Sequence, residues 1–94
     1  MILVKIFENR KKNLTLWNFP NPFNKATTFR YKIPTGASAH ILVYDISGKL
    51  VKSIVAPASG QAQLNANDLG AGIYTYTLMV EGQVIASKKM ILSN

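Results

Sequence analysis

Hydrophobic and polar residues alternate with a period of two along most of the chain after residue 27. This period is that of a β-strand with one buried face and one solvated face. The segments that show it are residues 28–33, 39–44, 49–55, 61–66, 73–80 and 83–92. No segment after residue 13 shows the 3.6-residue apolar stripe of an amphipathic helix. The pattern therefore predicts six short strands, with a possible seventh over residues 14–17.

Short strands at roughly ten-residue spacing, without helices between them, predict an all-β, immunoglobulin-like antiparallel β-sandwich of about seven strands. A parallel sheet would need strands that alternate with helices. Residues 45–48 and 81–82 are predicted to be tight hairpin turns. The predicted core consists of the apolar side chains on the inner faces: Phe23, Phe29, Tyr31, Ile33, Ile41, Val43, Val51, Ile54, Leu64, Leu69, Tyr74, Tyr76, Leu78, Val80, Met90 and Leu92.

A proline-rich segment, residues 18–24, precedes the strands. Pro20 and Pro22 stand on either side of an asparagine, and each proline fixes its own φ and pushes the preceding residue toward extended conformations. Such a segment cannot begin a helix or lie within a central strand. We expect a rigid corner, held against the core by Phe19 and Phe23.

Length and composition suit one domain, because 94 residues with 48% hydrophobic content support a single core. The absence of cysteine excludes disulfides and thiolate zinc sites. The net charge of +7 raises the question of a nucleic-acid or membrane partner, but only residues 30–32 combine basic and aromatic side chains. We expect a solvated basic surface, no nucleic-acid partner and no membrane insertion. Lys5 interrupts the apolar run of residues 1–7, which predicts neither an export signal nor a membrane span.

Residues with catalytic chemistry are few. His40 is the sole histidine, and the alternation places it on an outward face. The acidic residues Glu8, Asp45, Asp68 and Glu81 are dispersed, whereas a carboxylate pair or a metal cluster needs them close together. Asp45 and Asp68 stand at strand ends near glycines, a pattern typical of Asx turns. The sequence predicts no enzyme, no catalytic residue, no metal and no cofactor.

Aromatic side chains leave one alternative open. Tyr31, Tyr74 and Tyr76 fall on faces predicted to be buried, which favours core packing over a sugar-binding platform. Tyr44 and Trp17 stay undecided between these roles. An immunoglobulin-like module that binds carbohydrate or protein is therefore the alternative function.

Five segments occur in a characteristic order. They are Asn-Phe-Pro-Asn-Pro-Phe-Asn (residues 18–24), Thr-Thr-Phe-Arg-Tyr-Lys-Ile-Pro (27–34), Val-Tyr-Asp-Ile-Ser-Gly-Lys-Leu-Val (43–51), Leu-Gly-Ala-Gly-Ile-Tyr-Thr-Tyr-Thr-Leu (69–78) and Lys-Lys-Met-Ile-Leu (88–92). In this order they resemble the type A C-terminal sorting domain of the type IX secretion system, over about residues 14–94. Any one segment occurs in many β-proteins, so the order carries the resemblance.

The resemblance implies a function and its partners. It implies a non-catalytic sorting signal, covalently linked to a larger passenger that a Gram-negative bacterium exports. The passenger is expected to cross the periplasm and to reach the cell surface or the medium. The implied partners are an outer-membrane translocon, which recognises the folded domain, and a sortase-like cysteine protease, which removes it.

The resemblance also assigns positions. The proline corner matches the family at Pro20, Asn21, Pro22 and Phe23. Gly48 matches its hairpin glycine, and Gly72 with Tyr74 match the signature of its penultimate strand. The C-terminal strand, which carries much of the sorting information, is matched by Lys88, Lys89, Met90, Ile91 and Leu92. We interpret residues 1–13 as a linker remnant or an irregular N-terminal segment and residues 14–94 as the sorting domain.

Overall fold

A computed structural model of the chain describes residues 16–67 and 69–93. The seven strands in chain order are β1 (Leu16–Phe19), β2 (Ala26–Tyr31), β3 (Ala39–Tyr44), β4 (Leu50–Val55), β5 (Gln61–Asn65), β6 (Gly72–Val80) and β7 (Gln83–Leu92). The described ranges contain no helix, and so none long and apolar enough to cross a membrane. The predicted all-β class is confirmed, and β1 matches part of the possible seventh strand. The interpretation of residues 1–13 lies outside the described residues.

The strands form two antiparallel sheets. The smaller has the order β1-β2-β5 and the larger the order β4-β3-β6-β7. The chain passes from one sheet to the other after β2, β4 and β5, so that the two sheets enclose one shared core. The predicted immunoglobulin-like sandwich is confirmed.

The core follows the predicted alternation. Twelve of the predicted core residues are buried, while Ile33, Val51, Ile54 and Leu69 are partly buried and pack against the core. Across the two sheets, the ring centroids of Phe29 and Tyr76 lie 4.9 Å apart. The predicted core did not include the buried apolar residues Leu16, Ala39 and Ala56, nor the buried Thr27 and Thr77.

One expectation about the proline corner is wrong. Phe23 is 3% exposed and anchors the corner in the core, but Phe19 is 75% exposed. Because Leu16 and Asn18 take the inner positions of β1, the alternation turns Trp17 and Phe19 outward.

The β3–β4 hairpin closes on the predicted Asx turn. The Asp45 Oδ1 atom accepts hydrogen bonds from the Ser47 hydroxyl at 2.7 Å and from the Ser47 and Lys49 N–H groups, both at 2.9 Å. These bonds, chiefly the one from the Ser47 hydroxyl, hold the pKa of the Asp45 carboxyl below its ordinary value. Gly48 follows with a φ of +91°, which side-chain-bearing residues rarely adopt. Asp68, the other predicted Asx residue, lies outside the described residues.

The turn between β6 and β7 is also where it was predicted. Glu81 and Gly82 both have positive φ, at 51° and 80°. The Glu81 N–H donates to the Ser38 carbonyl at 2.8 Å, and the Ser38 N–H donates to the Glu81 carboxylate at 2.8 Å. This turn therefore holds the start of β7 to the segment that precedes β3.

Candidate functional site at the terminal strand

The terminal strand β7 is the longest strand and forms one edge of the larger sheet. Its alternation places Met90 and Leu92 in the core, at 0% and 4% exposure. Ile91 between them is 45% exposed, and Lys88 and Lys89 are exposed as well. The five residues matched to the sorting strand thus divide into two buried anchors and three accessible side chains.

The accessible side chains of β7 lie on both faces of the larger sheet. On the outer face, Ile91 pairs across the strands with Ile73, which is 46% exposed, and Lys89 pairs with Thr75. We call these four residues the terminal face. Lys88 lies on the opposite face of the strand, because residues of one strand alternate between faces. The terminal face combines an aliphatic pair with a positive charge, which suits recognition by a protein surface.

The proline corner lies against the outer edge of β7. The Ile91 N–H donates to Asn21 Oδ1 at 2.9 Å, and Asn21 Nδ2 donates to the Lys89 carbonyl at 3.3 Å. The Phe23 N–H donates to the Ile91 carbonyl at 3.0 Å, and the Ser93 N–H donates to the Phe23 carbonyl at 2.8 Å. Phe23 forms a parallel bridge with Leu92, and the peptide bonds before Pro20 and Pro22 are both cis. The corner therefore covers the end of β7 through one isolated bridge and the hydrogen bonds of Asn21.

A polar network inside the sandwich holds the other side of the corner. The Tyr76 hydroxyl donates to Asn18 Oδ1 at 2.9 Å, and Asn18 Nδ2 donates to the Thr27 hydroxyl at 3.0 Å. The Thr27 hydroxyl in turn donates to the Pro20 carbonyl at 2.8 Å. Burial raises the pKa of Tyr76 to about 12, because the charged phenolate would lose its hydration there. The network links β1, the corner and β2 to β6 of the opposite sheet.

Tyr74 and Gly72 lie beside the end of β7. Gly72 pairs with Leu92, and Tyr74 pairs with Met90. The Tyr74 hydroxyl donates to the Gly70 carbonyl at 2.6 Å. A tyrosine near the start of a strand, bonded to the backbone a few residues upstream, is the tyrosine corner of immunoglobulin-like sandwiches.

A comparison with protein families identifies the family to which the chain belongs. The profile of the secretion system C-terminal sorting domain matches residues 18–93. The chain belongs to this family. Members are C-terminal sorting signals of the type IX secretion system, so this domain is a secretion signal. The family is not known as a catalytic one. A search of curated proteins finds no matching relative.

The positions matched to the family are unequally distributed in the sorting domain. The proline corner, Gly72, Tyr74 and residues 88–92 converge on the end of β7. Gly48 lies apart from them, in the hairpin between β3 and the opposite edge strand β4. A role of these residues in sorting stays a prediction. No contact of Asn21 was predicted from the sequence. The periodicity of β7 gives no indication of the hydrogen bonds that Asn21 makes with residues 89 and 91.

A second surface of the sorting domain lies on the outer face of the smaller sheet. Trp17, 47% exposed, and Phe19, 75% exposed, line an open groove of about 600 Å³ together with Arg30, Thr28 and Gln61. Trp17 was undecided from the sequence and is a surface residue, whereas Tyr44 is half-buried. The groove offers two aromatic rings beside a guanidinium group.

The part of the chain that the structure describes contains few residues that could take part in catalysis. His40 lies half-buried on the outer face of β3, as the alternation predicted. The described residues contain no group of three or more His, Cys, Asp or Glu side chains that could hold a metal ion. The arrangement at β7 presents exposed side chains and backbone groups at an edge of the larger sheet.

Proposed function

We propose that the translocon of the type IX secretion system recognises this domain through the exposed side chains of β7. Lys88, Lys89 and Ile91 are accessible, while Met90 and Leu92 hold the same strand in the core. A strand built in this way offers side chains to a partner without leaving the fold. This alternation of anchored and accessible residues is the observation that carries the proposal.

The chemistry of the surface favours a particular partner. Lys89 and Ile91 extend from the outer face, and Lys88 adds a second positive charge on the other side of the strand. We propose that the partner presents carboxylates around an apolar centre, because complementary charges steer association and an apolar centre excludes water.

Membership of the family implies a larger passenger protein and the type IX secretion machinery, with export across the outer membrane. We propose that the folded domain passes through the periplasm attached to its passenger. A sortase-like cysteine protease then removes it, and the passenger remains on the cell surface or enters the medium. This route involves no nucleic acid, no metal or cofactor, no catalysis by the domain and no insertion of it into the membrane.

An export experiment tests the proposal. The chain is fused to the C-terminus of a periplasmic reporter with its own signal peptide, in a host that has this secretion system. We expect the reporter on the cell surface. The reporter fused to the double variant Lys88→Ala, Lys89→Ala should stay in the periplasm. This variant should remain folded, because substitutions of exposed residues change the free energy of unfolding by only about 0.5 kcal/mol.

The matched control for charge is the double variant Lys25→Ala, Lys32→Ala, which removes two exposed lysines elsewhere. We expect it to be exported normally. Wild-type reporter that stays in the periplasm with a folded domain contradicts the sorting role. Normal export of the Lys88, Lys89 variant contradicts the proposed surface alone.

The groove at Trp17 and Phe19 favours a second candidate function, namely binding of an oligosaccharide. Aromatic rings stack on the apolar faces of sugars, and Arg30 and Gln61 would bind hydroxyl groups. Trp17 is the sole tryptophan, so its fluorescence reports on this groove. Titration with cellulose and xylan oligosaccharides should change the emission if the groove binds them, and Phe19→Ala should weaken the effect. Constant emission excludes this function for those sugars.

A further inference from the structure

We propose that Asn21 is a positioning residue for the sorting strand. Its carboxamide replaces a missing neighbouring strand at the outer edge of β7 and keeps the last residues of that strand in the geometry that presents Lys89 and Ile91. The part of this inference that concerns β7 itself is independent of the sorting role. Its last step, the effect on export, rests on the proposed function.

The outer edge of β7 has backbone groups that β6 does not pair. In an antiparallel sheet, successive residues of a strand direct their N–H and C=O groups to opposite sides. The Ile91 N–H and C=O bond to the corner, so residues 87, 89 and 91 direct these groups away from β6. Unpaired groups along an edge pair readily with foreign chains, and strand ends fray unless they are held.

Asn21 supplies the pattern of a backbone neighbour. A carboxamide carries one acceptor and an N–H donor, as a peptide group does. Its oxygen accepts from the Ile91 N–H and its nitrogen donates to the Lys89 carbonyl, and Phe23 continues the row with its own backbone. Together these groups cover the edge from Lys89 to Ser93.

Contacts other than the hydrogen bonds of Asn21 restrict the position of the corner. The Phe23 ring is buried, and the Thr27 hydroxyl holds the Pro20 carbonyl. Pro20 and Pro22 restrict the backbone on both sides of Asn21. Little conformational freedom is therefore lost when the carboxamide binds β7, which makes the contact effective despite its exposure.

The first half of β7 is protected in a different way. The register with β6 shifts between Leu78 and Met79, which leaves Ile85 as an extra residue in β7. Such a bulge bends an edge strand and interrupts the regular pairing that a foreign strand needs. The corner protects the second half, where the exposed lysines and Ile91 lie. Without Asn21, that half would lose part of its fixed orientation.

Hydrogen exchange of backbone amides, measured by NMR on the full chain, tests the first part. Asn21→Ala should accelerate exchange of the Ile91 amide by about tenfold, because its acceptor is removed. The amides of Ile41 and Val43 in the central strand β3 should keep their rates. Asn24→Ala is the matched control, since Asn24 is an exposed residue of the same corner that makes no hydrogen bond with any other described residue.

Two outcomes overturn the role of Asn21 at β7. One is an unchanged exchange rate of the Ile91 amide in Asn21→Ala. The other is an equal acceleration in Asn24→Ala, because the effect would then belong to the corner as a whole. Asn21→Asp sharpens the test: it retains an acceptor for the Ile91 N–H but loses the donor to the Lys89 carbonyl. Its Ile91 amide should exchange more slowly than in Asn21→Ala.

Export of the reporter fusion tests the last step. Asn21→Ala should reduce surface display several-fold, with the melting temperature recorded in parallel. Asp45→Asn provides a control for lost stability, because it weakens the distant β3–β4 hairpin and should leave export intact. Normal export by Asn21→Ala, with accelerated exchange at Ile91, overturns the positioning role in sorting. A failure of the proposed surface is recognised separately, by normal export of the Lys88, Lys89 double variant.

Discussion

The two edges of the larger sheet are built in different ways. β7 has 10 residues, buries Met90 and Leu92, and is covered at its end by the proline corner. β4 has 6 residues, none of them fully buried, and its last residue, Val55, is 71% exposed. Both edges have to resist pairing with foreign chains. Among the described residues, β7 buries side chains fully and is covered at its end, whereas Val51 and Ile54 of β4 are only partly buried against the core. The edge that carries the residues matched to the sorting signal is the one whose geometry is fixed from both sides.

Among the substitutions that test this contrast, removal of a core anchor should cause the largest loss in the free energy of unfolding. Met90→Ala replaces a side chain that is 0% exposed, and we expect a loss of about 2–4 kcal/mol in the free energy of unfolding. Val55→Ala, on the other edge, should cost about 0.5 kcal/mol, because its side chain is largely in solvent. Urea denaturation of both variants measures the difference. Equal losses would mean that β7 is no better anchored than β4.

A smaller effect is expected from the network behind the corner. Tyr76→Phe removes the hydroxyl that donates to Asn18 Oδ1 and leaves a part-buried acceptor without its donor. We expect a loss of about 1–2 kcal/mol in the free energy of unfolding. Tyr44→Phe is the matched control on the β4 side, since the Tyr44 hydroxyl makes no hydrogen bond within residues 16–67 and 69–93. A comparable loss in both variants would contradict a special role of the network at the β7 edge.

The raised pKa of Tyr76 predicts that the wild-type chain and Tyr76→Phe differ in how their stability changes at alkaline pH. The pKa of Tyr76 is raised to about 12 in the folded state, from an ordinary value of 10.0. Its contribution to stability is therefore complete below pH 10 and is lost as the pH rises toward 12. The stability of Tyr76→Phe should fall less over this interval than that of the wild-type chain.

The strands and most of the core were predictable from the sequence because alternation is itself the cause of a half-buried strand. Phe29 and Ile41, for example, are buried as the alternation predicted. β1 was predicted only in part, as a possible strand over residues 14–17, because it is short and places a polar residue, Asn18, inside. The inner position of Asn18 is explained by its hydrogen bonds with the Tyr76 hydroxyl of the other sheet and the Thr27 hydroxyl.

The candidate site was predictable in part. The sequence located the terminal strand and the proline corner, but it gave no indication that they touch. Asn21 and Ile91 are 70 positions apart, and their contact depends on how the two sheets close over the core. Periodicity reports the face on which a side chain lies, whereas such a contact depends on the tertiary path of the chain.

The smallest expected effect concerns the hairpin that positions β4. The pKa of Asp45 lies below its ordinary value because the Ser47 hydroxyl and the Lys49 N–H stabilise the carboxylate. A carboxyl whose pKa is lowered by folding contributes stability that is complete above its ordinary pKa and is lost as the pH falls through the lowered value. The ordinary value is 3.8, so the loss should begin near pH 4 and continue below it. Melting temperatures of the wild-type chain should fall slightly in this range, and Asp45→Asn, which keeps an acceptor without the charge, should show a flatter profile. An identical profile in both chains would show that this exposed turn does not hold the β4 edge through its charge, and the contrast with β7 would then rest on burial alone.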